Sequence, residues 1–282
     1  MKLLLANKYS EKRVTYPVWV QPKLNGIRAR FTKGKFWSRD NKKFSPSVVA
    51  HLLKHFPSDT GDTTIDGEFY KHGWPLQRIN SAISVVRQEP NEDSSSIEFH
   101  AFDIAHETAS FAERYDVLIR LLAIINNNIP QSTPINLVPA WRLDNKEEVD
   151  SLYESFLEEG YEGMMYRLGW CKYFNSTANN RSWQLLKRKD FLDEECEILG
   201  VYEGKYTDKG SRLVNSLGGV TCLFEKTGKE FSVGSGFSDK ERDKYWAMPS
   251  LIIGQKLHVR YECLSEDGVP LKPTVGDKGI II

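Results

Sequence analysis

The chain has only four cysteines in 282 residues, Cys171, Cys196, Cys222 and Cys263, and no two form a CxxC pair. Neither a zinc site nor a disulfide framework follows, and reduced thiols in a cytosol-like compartment are expected. Net charge is missing as well. The 38 Lys/Arg balance 38 Asp/Glu, so a uniformly basic, polyanion-binding surface is excluded. No apolar run is long enough to span a bilayer, and the opening MKLLLANKYS carries only a short apolar stretch after Lys2. That is too short for the core of a secretion signal, so an intracellular protein, cytoplasmic or nuclear and neither secreted nor membrane-bound, is expected. Internal repeats and low-complexity tracts are absent.

What is present is unevenly distributed. Residues 1–50 hold 12 Lys/Arg against 2 Asp/Glu, whereas residues 190–282 hold 12 against 16. The basic excess is local, where a phosphate-bearing partner would gain from it. The texture changes along the chain too. Up to Asp190, strand-like runs such as TTIDGEFY, SIEFHAFDI, GMMYR and SWQLLKRK alternate with amphipathic helices over FAERYDVLIRLLAIINNNI and NKEEVDSLYESFLEEG. FTKGKFWSRD reads as a hairpin with Gly34 at its turn, and SPSVVAHLLKHF as a helix starting at Ser45-Pro46. Beyond Asp190, short strands with glycine corners and one helix, SDKERDKYWAM, suit a five-stranded OB-type barrel. The expected fold is α+β, with residues 1–189 forming antiparallel sheets with helices and residues 190–282 an all-β OB-fold domain.

The stretch VWVQPKLNGIRAR, residues 18–30, joins these readings to chemistry. Val18 and Val20 alternate with Trp19 and Gln21, as a strand requires, and Pro22 is expected to close the ladder because it has no N–H. Asn25-Gly26 reads as a turn, which sets Lys23 at the strand mouth. A lysine held there could be a nucleophile, although this stretch alone favours a surface lysine beside a hairpin turn. Further charged or aromatic residues stand at strand ends: Arg28, Arg39, Glu68, Phe102, Glu162, Lys187 and Lys189.

Taken in order, QPKLNGIR, WSRD, DGEFY, FHAFDI, YEGMMYR and LLKRKDF resemble the motifs of the covalent nucleotidyltransferases. Within them they are most similar to the small ATP-dependent DNA ligases of viruses and phages, and GSGFSDKERDKYW resembles the middle of the ligase OB domain. The resemblance implies an adenylyltransferase (ATP-grasp-like) domain over residues 1–189, an OB-fold domain over 190–282, and no room before Lys23 for the extra DNA-binding domain of larger ligases. It also implies roles. Lys23 would attack the α-phosphate of ATP to give lysyl-AMP, with Lys187 and Lys189 neutralising that phosphate. Glu68 would accept from the ribose, Phe102 stack on adenine, Arg28 touch the sugar and Gln21 sit beside the base. Glu162, with Glu68, would hold Mg2+, or Mn2+ in its place. Nicked duplex DNA would be the substrate, sealed by a monomer, with Arg39, Lys42, Lys205, Lys209 and Arg212 reaching its phosphates. Attack requires a neutral amine, and an ordinary lysine pKa of about 10.4 makes neighbouring cations or burial necessary.

The pattern departs from the family in two places. Asn25 stands where aspartate is usual. Near the end, Leu271 and Val275 occupy positions where arginines are expected, leaving Lys272, Asp277 and Lys278 as candidates to orient the outer phosphates. An RNA ligase or an mRNA-capping guanylyltransferase of the same superfamily is the alternative enzyme. A DNA-binding module that has lost catalysis is the alternative of a different class.

Overall fold

The computed structural model describes residues 3–56, 63–127, 133–173, 181–204, 214–265 and 267–281. Lys205, Lys209 and Arg212, expected on the DNA, lie outside these residues. The chain divides into two compact units, Met1–Lys189 and Asp190–Ile282.

In the first unit the strands are β1 (Ala6–Lys8), β2 (Val18–Lys23), β3 (Ile27–Thr32), β4 (Lys35–Ser38), β5 (Ile65–Tyr70), β6 (Glu98–Ile104), β7 (Ile135–Leu137), β8 (Trp141–Leu143), β9 (Gly163–Leu168) and β10 (Ser182–Arg188). The helices are α1 (Ala50–Leu53), α2 (Leu76–Ala82), α3 (Phe111–Asn127) and α4 (Lys146–Glu158). Two five-stranded sheets result, ordered β1-β10-β9-β2-β8 and β4-β3-β5-β6-β7. Most pairings are antiparallel, as the sequence predicts; β1–β10 and β6–β7 are parallel. The hairpin at Lys33-Gly34 forms with φ of 49° and 68°, the left-handed pair a two-residue turn demands.

Helix α3 begins with Ser110 and Glu113 exchanging bonds as a capping box, and buries Phe111, Tyr115, Leu118, Leu122 and Ile125 along one stripe. Helix α4 starts at Asn145, whose side chain accepts from the Glu148 N–H, and buries Val149, Tyr153 and Phe156. The helix expected from Ser45 shrinks to Ala50–Leu53. The Ser45 and Ser47 hydroxyls donate to the Gln88 carbonyl instead of capping, and the β-branched pair Val48-Val49 disfavours a helical start.

Two local expectations around Lys23 are corrected. Strand β2 runs through Pro22 to Lys23, opposite Met164 and Gly163. Pro22 is tolerated because β8 pairs only with Val18–Val20, so on that side the ladder has already ended. Asn25-Gly26 is also no hairpin turn, since β2 and β3 belong to different sheets. Gly26 is required there because a Cβ would stand 2.2 Å from the Phe69 carbonyl oxygen.

The second unit contains β11 (Leu192–Glu203), β12 (Leu217–Phe224), β13 (Lys229–Val233), α5 (Asp239–Ala247), β14 (Lys256–Tyr261) and β15 (Thr274–Ile281). Its sheet runs β13-β12-β11-β14-β15, and a parallel bridge from Ser235 to Thr274 brings its two ends together, as an OB barrel does. Arg242 of α5 is buried and donates to the carbonyls of Leu217, Gly218 and Gly234, tying helix to barrel. Strand β15 forms over a stretch in which glycines and charges break the alternation. It places Asp277 3.5 Å from Arg260 and Lys278 3.1 Å from Glu195, while Lys272 bonds Glu262 at 2.6 Å. No helix among the described residues is long and apolar enough to cross a membrane.

Candidate active site

Between the two sheets of the first unit lies a pocket. Its lining includes Gln21, Lys23, Arg28, Arg39, Glu68, Phe102, Arg167, Arg181 and Lys187. Strand alternation selects this set. On β2, Trp19, Gln21 and Lys23 share one face; on β9, Met165 and Arg167 do; on β10, Leu185 and Lys187 do. Arg188 turns the other way. Its guanidinium bonds Asp150 of α4 at 2.5 Å and lies 3.8 Å from the Tyr153 ring centroid.

Lys23 is tied to Glu162 twice. Its carbonyl accepts the Glu162 N–H at 3.0 Å, and its Nζ pairs with Glu162 Oε2. The other Glu162 oxygen accepts from Lys189 Nζ at 3.1 Å. Gly163, next in the chain, has φ of +148°, and a Cβ there would sit 2.2 Å from the Arg188 carbonyl. Only glycine lets the strand of Glu162 approach the strand of the paired lysines so closely. Lys187 is pushed below the ordinary lysine range by burial and then by the charges of Lys23 and Lys189.

Glu68 of β5 accepts the Gly26 N–H at 2.7 Å. Burial raises its carboxyl from 4.5 to about 7, against the opposing charge of Lys23, and the nearby Glu162 carboxylate adds to the rise. An acid whose folded pKa is raised loses stability as pH climbs from the unfolded value to the folded one. Wild-type protein should therefore lose melting temperature relative to Glu68→Gln between about pH 4.5 and pH 7, and level off above. Thermal scans of both proteins across that window check it, since glutamine keeps an acceptor for Gly26 without the charge.

Arg28 is held by both oxygens of buried Asp66, at 3.0 and 2.5 Å, and Asp66 also accepts from the Tyr173 hydroxyl at 2.7 Å. Despite burial, Asp66 pushes the Arg28 guanidinium above its ordinary range. Phe102 faces the guanidinium groups of Arg28 and Arg167 at 5.5 and 5.4 Å. The Gln21 side chain is fully engaged elsewhere, so only its backbone is left for a ligand. Arg39 lines the pocket and lies 3.5 Å from Asp40; Lys42 is exposed and does not line it.

The structure thus brings Gln21, Lys23, Arg28, Arg39, Glu68, Phe102 and Lys187 together around one pocket, with Glu162 bonded to Lys23 and Lys189 bonded to Glu162. Arg167, Arg181 and Asp66 were not singled out from the sequence. Arg167 stands two residues beyond Met165 on the same strand face, the one signal that could have found it.

The family described as "ATP dependent DNA ligase domain" matches residues 5–189, more than half of the chain, and "DNA ligase OB-like domain" matches residues 210–277. A DNA ligase of Haemophilus influenzae is 24% identical, over 95% of this chain and 88% of its own length. A DNA ligase of African swine fever virus is 28% identical over 90% of this chain, which spans 61% of that longer protein. Among solved structures, a Lig E DNA ligase superposes with a TM-score of 0.79 at 25% identity, covering 100% of this chain and 99% of its own. The ATP-dependent DNA ligase of bacteriophage T7 shares the fold, at a TM-score of 0.57 and 14% identity over 98% of both chains. The chain belongs to the ATP-dependent DNA ligase family, whose members work through a lysyl-AMP intermediate.

Proposed function

We propose that this protein seals nicks in duplex DNA with ATP, carrying the adenylate on Lys23. The observation that carries the reading is the placement of Lys23 Nζ against Glu162, with Lys189 on the second oxygen, in a pocket walled by Phe102. In the first step the neutral Nζ attacks the α-phosphorus, an N–P bond forms, the bond to pyrophosphate breaks, and the positively charged nitrogen so formed gives up one proton to solvent to leave the phosphoramidate. Splitting the transfer into two displacements lowers each barrier. Lys187 and Lys189 place positive charge where the α-phosphate develops it as negative, in a site partly shielded from water. Phe102 supplies a flat face for adenine, and Glu68 an acceptor for the ribose.

The carboxylates of Glu162 and Glu68 are oxygen donors, and the Glu162 charge is close enough to contribute to the raised pKa of Glu68, a set that suits Mg2+ completed by phosphate oxygens and water. Bound there, the ion would offset phosphate charge as pyrophosphate leaves. In the second step the nick's 5′-phosphate takes AMP from Lys23, with Arg39 at the pocket rim suited to hold that phosphate by its planar fork. The 3′-hydroxyl then attacks, closing the strand and releasing AMP. We take the acting species to be a monomer. The buried thiols of Cys171, Cys196 and Cys222 fit a reducing compartment.

Intact-protein mass before and after ATP with Mg2+, followed by a sealing assay, tests the reading. One adenylate should be gained from ATP, and nicked duplex DNA should be closed in preference to nicked RNA. A DNA complex that forms without any mass gain would leave only a binding module. Adenylate gain with closure of RNA alone would make the protein an RNA ligase.

A further inference from the structure

The wall of the pocket behind Phe102 is built around a buried charge cluster with no part in the chemistry above. Asp103 is fully buried, and Arg114 and Arg167 are 1% and 3% exposed. Arg114 Nε and Nη2 donate to Asp103 at 2.8 and 3.0 Å, and its Nη1 donates to the carbonyls of Ala109 and Cys171. Arg167 Nη1 donates to Asp103 Oδ2 at 2.7 Å, and its Nε donates to Gln21 Oε1 at 2.8 Å. The Gln21 amide nitrogen, in turn, donates to the carbonyls of Phe102 at 3.3 Å and Val138 at 3.4 Å.

The backbone explains how consecutive residues serve one cluster. Asp66 pairs with Asp103 and Gly67 with Ala101, so Phe102 is the extra residue of a β-bulge. On a regular strand Phe102 and Asp103 would face opposite sides. The bulge re-aims them, and both reach Arg167, one by its ring and one by its carboxylate.

We infer that Arg167 is a positioning residue for the nucleotide base. Through Gln21, whose amide bonds the Phe102 carbonyl, it ties β2 to the strand that bears the Phe102 ring, the two groups that the proposed function sets against the base. This rests on the reading that Phe102 and Gln21 receive adenine. Three features favour a positioning role over a purely structural one. Arg167 lines the pocket itself, it bridges the two sheets that form the slot, and Asp103 already has a second, more fully bonded arginine in Arg114. The planar fork of arginine spans Asp103 and Gln21 together, whereas the single ammonium of lysine reaches one of them.

The test is lysyl-adenylate formation measured against ATP concentration. Arg167→Lys should raise KM for ATP roughly 10- to 100-fold and change kcat at saturating ATP by less than about threefold, the signature of lost ground-state binding. Gln21→Met leaves the charge cluster whole and should raise KM to a similar extent. The double variant should be no worse than the weaker-binding single one, because both act through one link. Should Arg167→Lys fail to fold, Gln21→Met decides alone. An unchanged KM in Gln21→Met, or a fall confined to kcat, overturns the inference provided that Phe102→Ala still raises KM. If Phe102→Ala leaves KM unchanged, the reading of the base site is what fails.

Discussion

A Lys23→Ala protein incubated with ATP and Mg2+ is expected to gain no adenylate, and to seal no nick that begins with an ordinary 5′-phosphate. Lys23→Arg should fail equally, and that pair of results separates two roles. Alanine removes both the nucleophile and a charge. Glu162 would then keep only Lys189 as a partner, and Glu68 would lose the strongest influence holding its pKa down. Arginine restores the charge, yet its guanidinium stays protonated and has no lone pair to offer. Neither change touches attack by the 3′-hydroxyl. A nick that already carries AMP on its 5′-phosphate should therefore still be closed by Lys23→Arg, with Mg2+ and without ATP. Gel analysis of both substrates checks this. Adenylate uptake by Lys23→Arg would show that another amine is the nucleophile.

Loss of the Asp103 carboxylate should produce the largest change in stability. Asp103→Asn would leave the guanidiniums of Arg114 and Arg167 buried around an uncharged amide. Breaking a buried ion cluster by removing one partner costs about 3–5 kcal/mol, because the charges left behind have neither water nor a counterion. For a unit of this size that corresponds to a fall in melting temperature of roughly 6–20 °C. Replacing all three groups with apolar residues of similar volume, Asp103→Leu with Arg114→Met and Arg167→Met, should recover much of the loss. Calorimetry on the single and triple variants distinguishes a desolvation penalty from the loss of a needed contact. If the single variant melts within a degree or two of wild type, the cluster is not as dry as its exposure indicates.

The sequence carried the site further than it carried the fold around it. Lys23, Glu68, Phe102, Glu162, Lys187 and Lys189 stand out as candidates because the short motifs around them follow one another in the order of one family; Lys23, Glu162, Lys187 and Lys189 lie at or beside strand ends, whereas Glu68 and Phe102 lie inside β5 and β6. Parting of the sheets at Asn25-Gly26 could not be read. The local signal for a turn is the same whether the next strand pairs with the last or leaves it, and what decides is distant pairing, of β2 with β9 and of β3 with β5. The bulge at Phe102 is equally silent, since FHAFDI alternates well enough for a regular strand. For strand β15, its partner β14 and the barrel closure supply the order that its own glycines and charges do not.

Arg188 stands between the paired lysines in the chain and is held by Asp150 on the opposite face of β10, so the register of that strand carries a consequence for the pocket. Sliding β10 by one residue would drive Lys187 and Lys189 toward the aromatic groove of Tyr9 and Tyr153, and thrust a guanidinium into the nucleotide slot. Such a slip would exchange the faces of every side chain on β10, so the contacts of Arg188 favour the one register that turns both lysines toward the pocket.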